Sequence, residues 1–285
     1  MLADAIRSET YRLSKNRTAL FWSVLFIPII SVVLGVIAII VAKAHEADLA
    51  GKLPPELLQR APLNLAESLV KSAADFANPI VLLFILIGAA TIYAGDYRWE
   101  TWRLISARNT RPNLLTGKVV VVIGLTVLAT VAGLLADIVT HLVQAVILSR
   151  SLSFSTDGAG FTDFVQLTLL SWARIIQFTM LALLAATVTR SLLAALFVPL
   201  VISVAQFFLP QMLMQMGVSP EGWVAPLLSP GLATDLLKAV IHGGMEAAGL
   251  PPQAALKAVT GLALWIVGPF VAAVAYFKRQ DLSKE

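Results

Sequence analysis

The chain has 285 residues, 58% hydrophobic and only 13% charged, with a mean hydropathy of +0.83. A soluble domain carries roughly a quarter charged residues, so this composition specifies an integral membrane protein. The net charge of +4 lies in short clusters flanking apolar runs rather than in a nucleic-acid-binding patch, and the lack of cysteine excludes disulfides, thiolate catalysis and cysteine metal sites.

The N-terminal stretch, residues 1–18, places Ile6, Tyr11 and Leu13 among Arg7, Arg12, Lys15 and Arg17. That pattern predicts an amphipathic helix lying in the membrane interface. It does not read as a cleavable signal peptide, because its polar part is long and the apolar run that follows is span-length. The first span is predicted at about 19–42, long enough to cross ~30 Å of hydrocarbon. A polar loop with Pro54, Pro55 and Pro62 follows, containing a helical fragment over 63–74.

The second span is predicted at about 76–94, and a basic stretch, 95–118, separates it from a third at about 119–148. Further spans are expected at about 164–188, 192–214 and 258–277, with a tight turn at Thr189, Arg190 and Ser191. Between the last two lies a long semi-apolar segment rich in Pro and Gly, in which Pro230 to Ile241 reads as a helix that dips into the membrane without crossing it. The expected fold is thus an all-α membrane protein of six transmembrane helices. It carries an N-terminal interfacial helix and short re-entrant or surface helices in the last outer loop, with 1–285 forming one transmembrane domain.

Cations set the orientation. Six spans place the N-terminal segment, the 95–118 stretch, Arg190 and the tail with Lys278, Arg279 and Lys284 on one side. The positive-inside rule makes that side, and both termini, cytoplasmic.

No phosphate-binding loop of the form G-x-x-x-x-G-K-[ST] is present, and no zinc spacing or Ser/His/Asp set is evident. The chain therefore shows no positive sign of being an enzyme. Ionisable groups inside spans are costly and point to function. Asp137 lies about 28 Å from the inner boundary at Lys118, and Arg174 about 24 Å from Arg190, at 1.5 Å per residue. Asp137, His141 and Gln144 fall on one helical face, and Gln177 follows Arg174 on its own. These five residues form either a polar lining for a cargo pathway or a structural ion pair between Asp137 and Arg174 with its surroundings. A carrier driven by ions through Asp137 and Arg174 would show inverted repeats, and no convincing internal repeat is found.

The basic stretch GDYRWETWRLISARNTRPNLLTGK begins at Gly95 and carries Arg98, Arg103, Arg108, Arg111 and Lys118 among Trp99 and Trp102, with Asp96 and Glu100 the only acids. At helical spacing Trp99, Arg103, Ile105 and Ser106 share a side. Asn109 to Asn113, with Pro112, marks a break before a new helix that runs into the third span. A helix–turn–helix continuous with two spans can transmit a push from a soluble partner.

The Gly95-Asp96-Tyr97-Arg98 turn, the series Glu100, Thr101, Arg103, Leu104, Ala107 and Arg108, and the Leu115-Thr116-Gly117-Lys118 segment together resemble the permease subunits of type-2 ABC transporters. Most members have a Gly or small residue where Trp102 or Thr101 falls here. The resemblance implies an exporter permease in the bacterial cytoplasmic membrane. It would pair with a second permease, identical or related, and be driven by two soluble ABC ATPase subunits. ATP and Mg would bind on those ATPases, with no cofactor on this chain. It further implies that the 95–118 region and the N-terminal helix dock the ATPase, through Arg7, Arg12, Asp96, Arg98, Trp99, Glu100, Trp102, Arg103 and Arg108. The cargo it implies is open, and the apolar spans lean towards a hydrophobic or lipid-linked substrate. The alternatives are a non-transporting scaffold or sensor subunit, or the ion-coupled carrier.

Overall fold

A computed structural model describes residues 1–45, 62–155, 160–219, 222–243 and 249–281, apart from the side chain of Arg103. The protein is an all-α integral membrane protein, with six helices among the described residues long and apolar enough to cross a membrane. Helix α1, Leu2–Lys15, buries Ala5, Glu9 and Leu13 along one stripe and leaves its basic side open. It gives way at Asn16, whose side chain accepts from the Ala19 amide, to α2, Arg17–Ala44. A π-helical turn at Phe21–Leu25 interrupts α2 near its start.

Asn64 caps α3, Leu65–Asp75, by accepting from the amides of Ala66 and Glu67. Residues Leu63–Asn64 (β1) pair in parallel with Leu152–Ser153 (β2), tying the connection after α2 to the end of the third span. Asn78 caps α4, Pro79–Arg98, and Pro79 occupies its first turn. This is the position where proline has no amide hydrogen bond to lose.

After α4 the backbone turns at Glu100, whose φ of 52° is left-handed, before the short α5, Trp102–Ser106. That turn corrects the expected shared helical face: Trp99 caps α4, whereas Ile105 and Ser106 belong to α5. Helix α6, Arg111–Leu148, spans 38 residues and starts well before the apolar run at 119. Hydropathy marks the membrane boundary, not the helix end, and Pro112 in the first turn suits a helix start.

Helices α7, Phe161–Thr189, and α8, Leu192–Gln215, meet at the left-handed Arg190, with Ser191 capping α8. Two short helices follow in the last outer segment, α9 (Val224–Leu228) and α10 (Pro230–His242), before the final span α11, Ala254–Arg279. Within the stretch expected to be re-entrant, residues 220–221 and 244–248 lie outside the described residues, as do 46–61 of the first outer loop.

Helices α4 and α7 form the centre of the bundle. Leu82, Leu86, Ala89 and Ala90 from α4 pack with Val122 and Leu125 of α6 and with Phe178, Ala182 and Ala186 of α7. The alanines let the backbones come close, which is how spans associate where lipid offers no hydrophobic contrast. Gly261 of α11 serves the same end against α9: a Cβ there would lie 2.8 Å from the Pro226 carbonyl carbon and closer still to its oxygen. Because the obstacle is backbone, Gly261→Ala should lift α9 off α11 and destabilise the protein by about 1–3 kcal/mol. Thermal unfolding of the detergent-solubilised variant checks this, and an unchanged transition would refute the packing argument.

Candidate functional site: a charged cluster at the basic face

The basic segments gather at one end of the molecule around Asp96, in the last turn of α4. Asp96 is fully buried, yet it is surrounded by charge. Arg12 of α1 forks onto both carboxylate oxygens, Nη2 to Oδ1 at 2.7 Å and Nη1 to Oδ2 at 3.2 Å. Lys118 Nζ of α6 approaches Oδ2 at 2.5 Å, and the Thr101 hydroxyl donates to Oδ1 at 2.5 Å. Glu9 of α1 completes the set, its Oε1 2.9 Å from Arg12 Nη1 and 3.1 Å from Lys118 Nζ.

Lys118 is 1% exposed, and an ammonium has three protons to place. Asp96, Glu9 and the Ile92 carbonyl, at 2.8 Å, take all three. Two acids and two bases make the cluster neutral, which is the condition for burying charge without a large desolvation penalty. Burial alone would weaken the Arg12 charge. The hydrogen bond to Asp96 and the nearby Glu9 and Asp96 carboxylates outweigh that and raise its pKa.

Beside the ions lies an aromatic layer. Trp102 is fully buried, with its ring centroid 4.5 Å from Phe277 and 5.4 Å from Tyr97, and Lys118 Nζ stands 5.2 Å from the same ring. Tyr97 Oη donates to Gln280 Oε1 at 3.0 Å. Arg111 donates to the carbonyls of Phe277, Lys278 and Gln280, and so caps the end of α11. Arg190 reaches the Asp281 carbonyl at 3.1 Å. The four basic segments of the chain therefore close on one another, binding α1, α4, α6, the α7–α8 turn and the tail into one plate.

Of the residues expected to face a partner, Asp96 and Trp102 are buried and hold the plate together instead. Arg12 bridges cluster and surface. Arg7, Arg98, Glu100 and Arg108 are exposed, and Trp99 is 69% exposed with Arg98 lying 5.4 Å over its ring. Arg103 is in α5, and its side chain lies outside the described residues. Leu104 of α5 is exposed as well, at 70%. Sequence reasoning did not single out Glu9, it named Thr101 and Leu104 only within the family-like series, and it treated Lys118 as a span boundary. The spacing of Glu9 three residues before Arg12 was the available signal.

The intramembrane set divides. Asp137 accepts from Ser68 of α3 at 2.8 Å and pairs with His141, whose Nδ1 is 3.5 Å away. Arg174 donates to Gln177 Oε1 at 2.7 Å and lies 4.6 Å from the Phe178 ring centroid. The two charges line separate cavities, Asp137 with His141 under α3 and Arg174 under α10. The expected Asp137–Arg174 ion pair is not made, because equal height on two helices fixes nothing about the direction each side chain faces. Gln144 is half-buried and outside both cavities.

Six candidate spans among the described residues thus stand beside a buried charge cluster that joins the N-terminal helix to the connection between α4 and α6. A family model described as ABC-2 family transporter protein matches residues 6–282. The chain belongs to the ABC-2 transporter family. No curated protein and no solved structure matches it. As an ABC-2 permease the protein is a multi-pass membrane transport subunit, not an enzyme by itself. Membership implies association with an ABC ATPase and often with a second permease.

Proposed function

We propose that this ABC-2 permease is the membrane half of an ATP-driven exporter in the bacterial cytoplasmic membrane, with both termini in the cytoplasm. Two soluble ATPase subunits, carrying ATP and Mg, dock on the basic plate, and a second permease completes the pathway. The cargo is hydrophobic or lipid-linked. One observation carries the reading: exposed Arg98 and Trp99 line one groove with Glu9 and Arg12 of the Asp96 cluster, which grips α1, α4 and α6 together. A push on that surface reaches two spans without passing through a flexible joint. The cation count on this face supports a cytoplasmic orientation.

The test is co-expression with a partner ATPase, purification of the complex and measurement of ATP hydrolysis. The permease should co-purify and change the turnover of the ATPase by several-fold. A chain that neither co-purifies nor alters turnover is not a coupled exporter subunit.

A further inference from the structure

A second charged site lies at the opposite end of the molecule. Arg174 stands about 24 Å along α7 from the basic plate, at the floor of a cavity of about 510 Å³. The walls come from the α3–α4 junction, α7, α8 and α10. A guanidinium has five donor hydrogens, and the hydrogen bond to Gln177 takes one of them. Gln206 of α8 also lines the cavity. It is 4% exposed, and neither its Oε1 nor its Nε2 has a partner among the described residues. Burying an amide without partners is costly, so an arginine with open donors and an unpartnered glutamine on the wall of one cavity point to a group that binds both.

Two neighbouring hydroxyls on the wall are already committed. Ser171 donates to the Ala73 carbonyl and Thr234 to the Pro230 carbonyl. Gly231 keeps the floor open: a Cβ there would come within 3.3 Å of Arg174 Nη2 and 3.4 Å of the Gln206 carbonyl. The acids stand at the rim. Asp235 is exposed, and Asp75, 64% exposed, pairs at 3.5 Å with Lys238. The wall is thus neutral overall, with Arg174 deep and carboxylates outside. A guest with its own charges in the reverse order fits, anion inward and cation outward. Phe207, another wall residue, is 74% exposed on the apolar side of α8, where an acyl chain can lie.

We propose that this cavity binds the phosphoethanolamine head group of a membrane phospholipid, with the phosphate on Arg174 and Gln206 and the ammonium at Asp235 and Asp75. Gln177 is a positioning residue that holds the guanidinium. The inference uses no step of a transport cycle and stands independently of the export reading.

Native mass spectrometry of the detergent-purified full chain tests it. The probes are titrated phosphatidylethanolamine, phosphatidylglycerol, soluble glycerophosphoethanolamine and inorganic phosphate. Phosphatidylethanolamine should bind best, because phosphatidylglycerol brings no cation to a rim where two carboxylates share Lys238, and the soluble probes lack the chain contact at Phe207. Arg174→Met should weaken that binding by about tenfold or more, the loss of a charge-assisted contact. Gln206→Leu should weaken it too while leaving the lipid-free protein at least as stable, since it removes an unpaired buried amide. This second variant keeps the test decisive if Arg174→Met does not fold. Equal affinity for both lipids, unchanged binding in Gln206→Leu, or tighter binding of either soluble probe than of lipid would each overturn the proposal.

Discussion

Asp96→Asn is expected to release the N-terminal helix from the spans. The amide keeps the shape and can still accept from Thr101, but it no longer balances Lys118, which is 1% exposed and sits among apolar side chains and the Trp102 ring. Removing one partner of a buried ion pair costs about 3–5 kcal/mol, and here the cost falls towards the lower end, because Glu9 remains to balance Lys118 while also serving Arg12. Most of that cost comes from Lys118. The Arg12 side chain is 42% exposed and can rehydrate, so its part is discounted. The expected result is a lower unfolding temperature in detergent and faster hydrogen exchange across Leu2–Lys15. Adding Lys118→Met to the same chain removes the stranded charge and should recover part of the loss. If Asp96→Asn unfolds like the parent, the cluster is not what holds the plate together.

Changing Trp99 and Leu104 together to serine should have the opposite profile. Both side chains project from the plate, at 69% and 70% exposure, so the fold and its unfolding temperature should not change. Exposed tryptophans beside arginines are the usual anchors of protein contacts, and truncating such an anchor costs about 2 kcal/mol or more, roughly a thirtyfold loss of affinity. The ATPase should therefore bind at least about thirtyfold more weakly to the variant. Glu100→Lys, a change at the rim of the same surface, should act mainly on the association rate. Affinity measured between purified ATPase and permease in nanodiscs separates the two. Undiminished binding by the double variant would move the docking surface elsewhere.

The spans were readable because apolar runs of about nineteen residues or more leave few alternatives, and the helix read from Pro230 to Ile241 starts at Pro230 as expected. The charged cluster was only half readable. Its members Glu9 and Lys118 are more than a hundred residues apart, and nothing local to Lys118 distinguishes a buried ammonium from one reaching for the interface. Trp102 looked like a surface aromatic because the residues that cover it, Tyr97 and Phe277, come from α4 and α11. The separation of Asp137 from Arg174 was hidden for a related reason. A rise per residue gives depth, but the direction a side chain faces depends on α3 and α10, elements that lie outside the spans.

Helix α6 has a mechanical consequence. Its 38 residues make a continuous rod about 57 Å long. Lys118 is fastened into the plate near one end, and Asp137, 19 residues on, touches Ser68 on the far side. No internal proline or π-turn interrupts that stretch. A tilt of about 10° about the Lys118 end displaces Asp137 by roughly 5 Å, from the helical rise alone. That is far enough to break its 2.8 Å contact with Ser68. The charged plate and the Ser68 contact are therefore two points on one stiff beam, so a tilt at one is a displacement at the other.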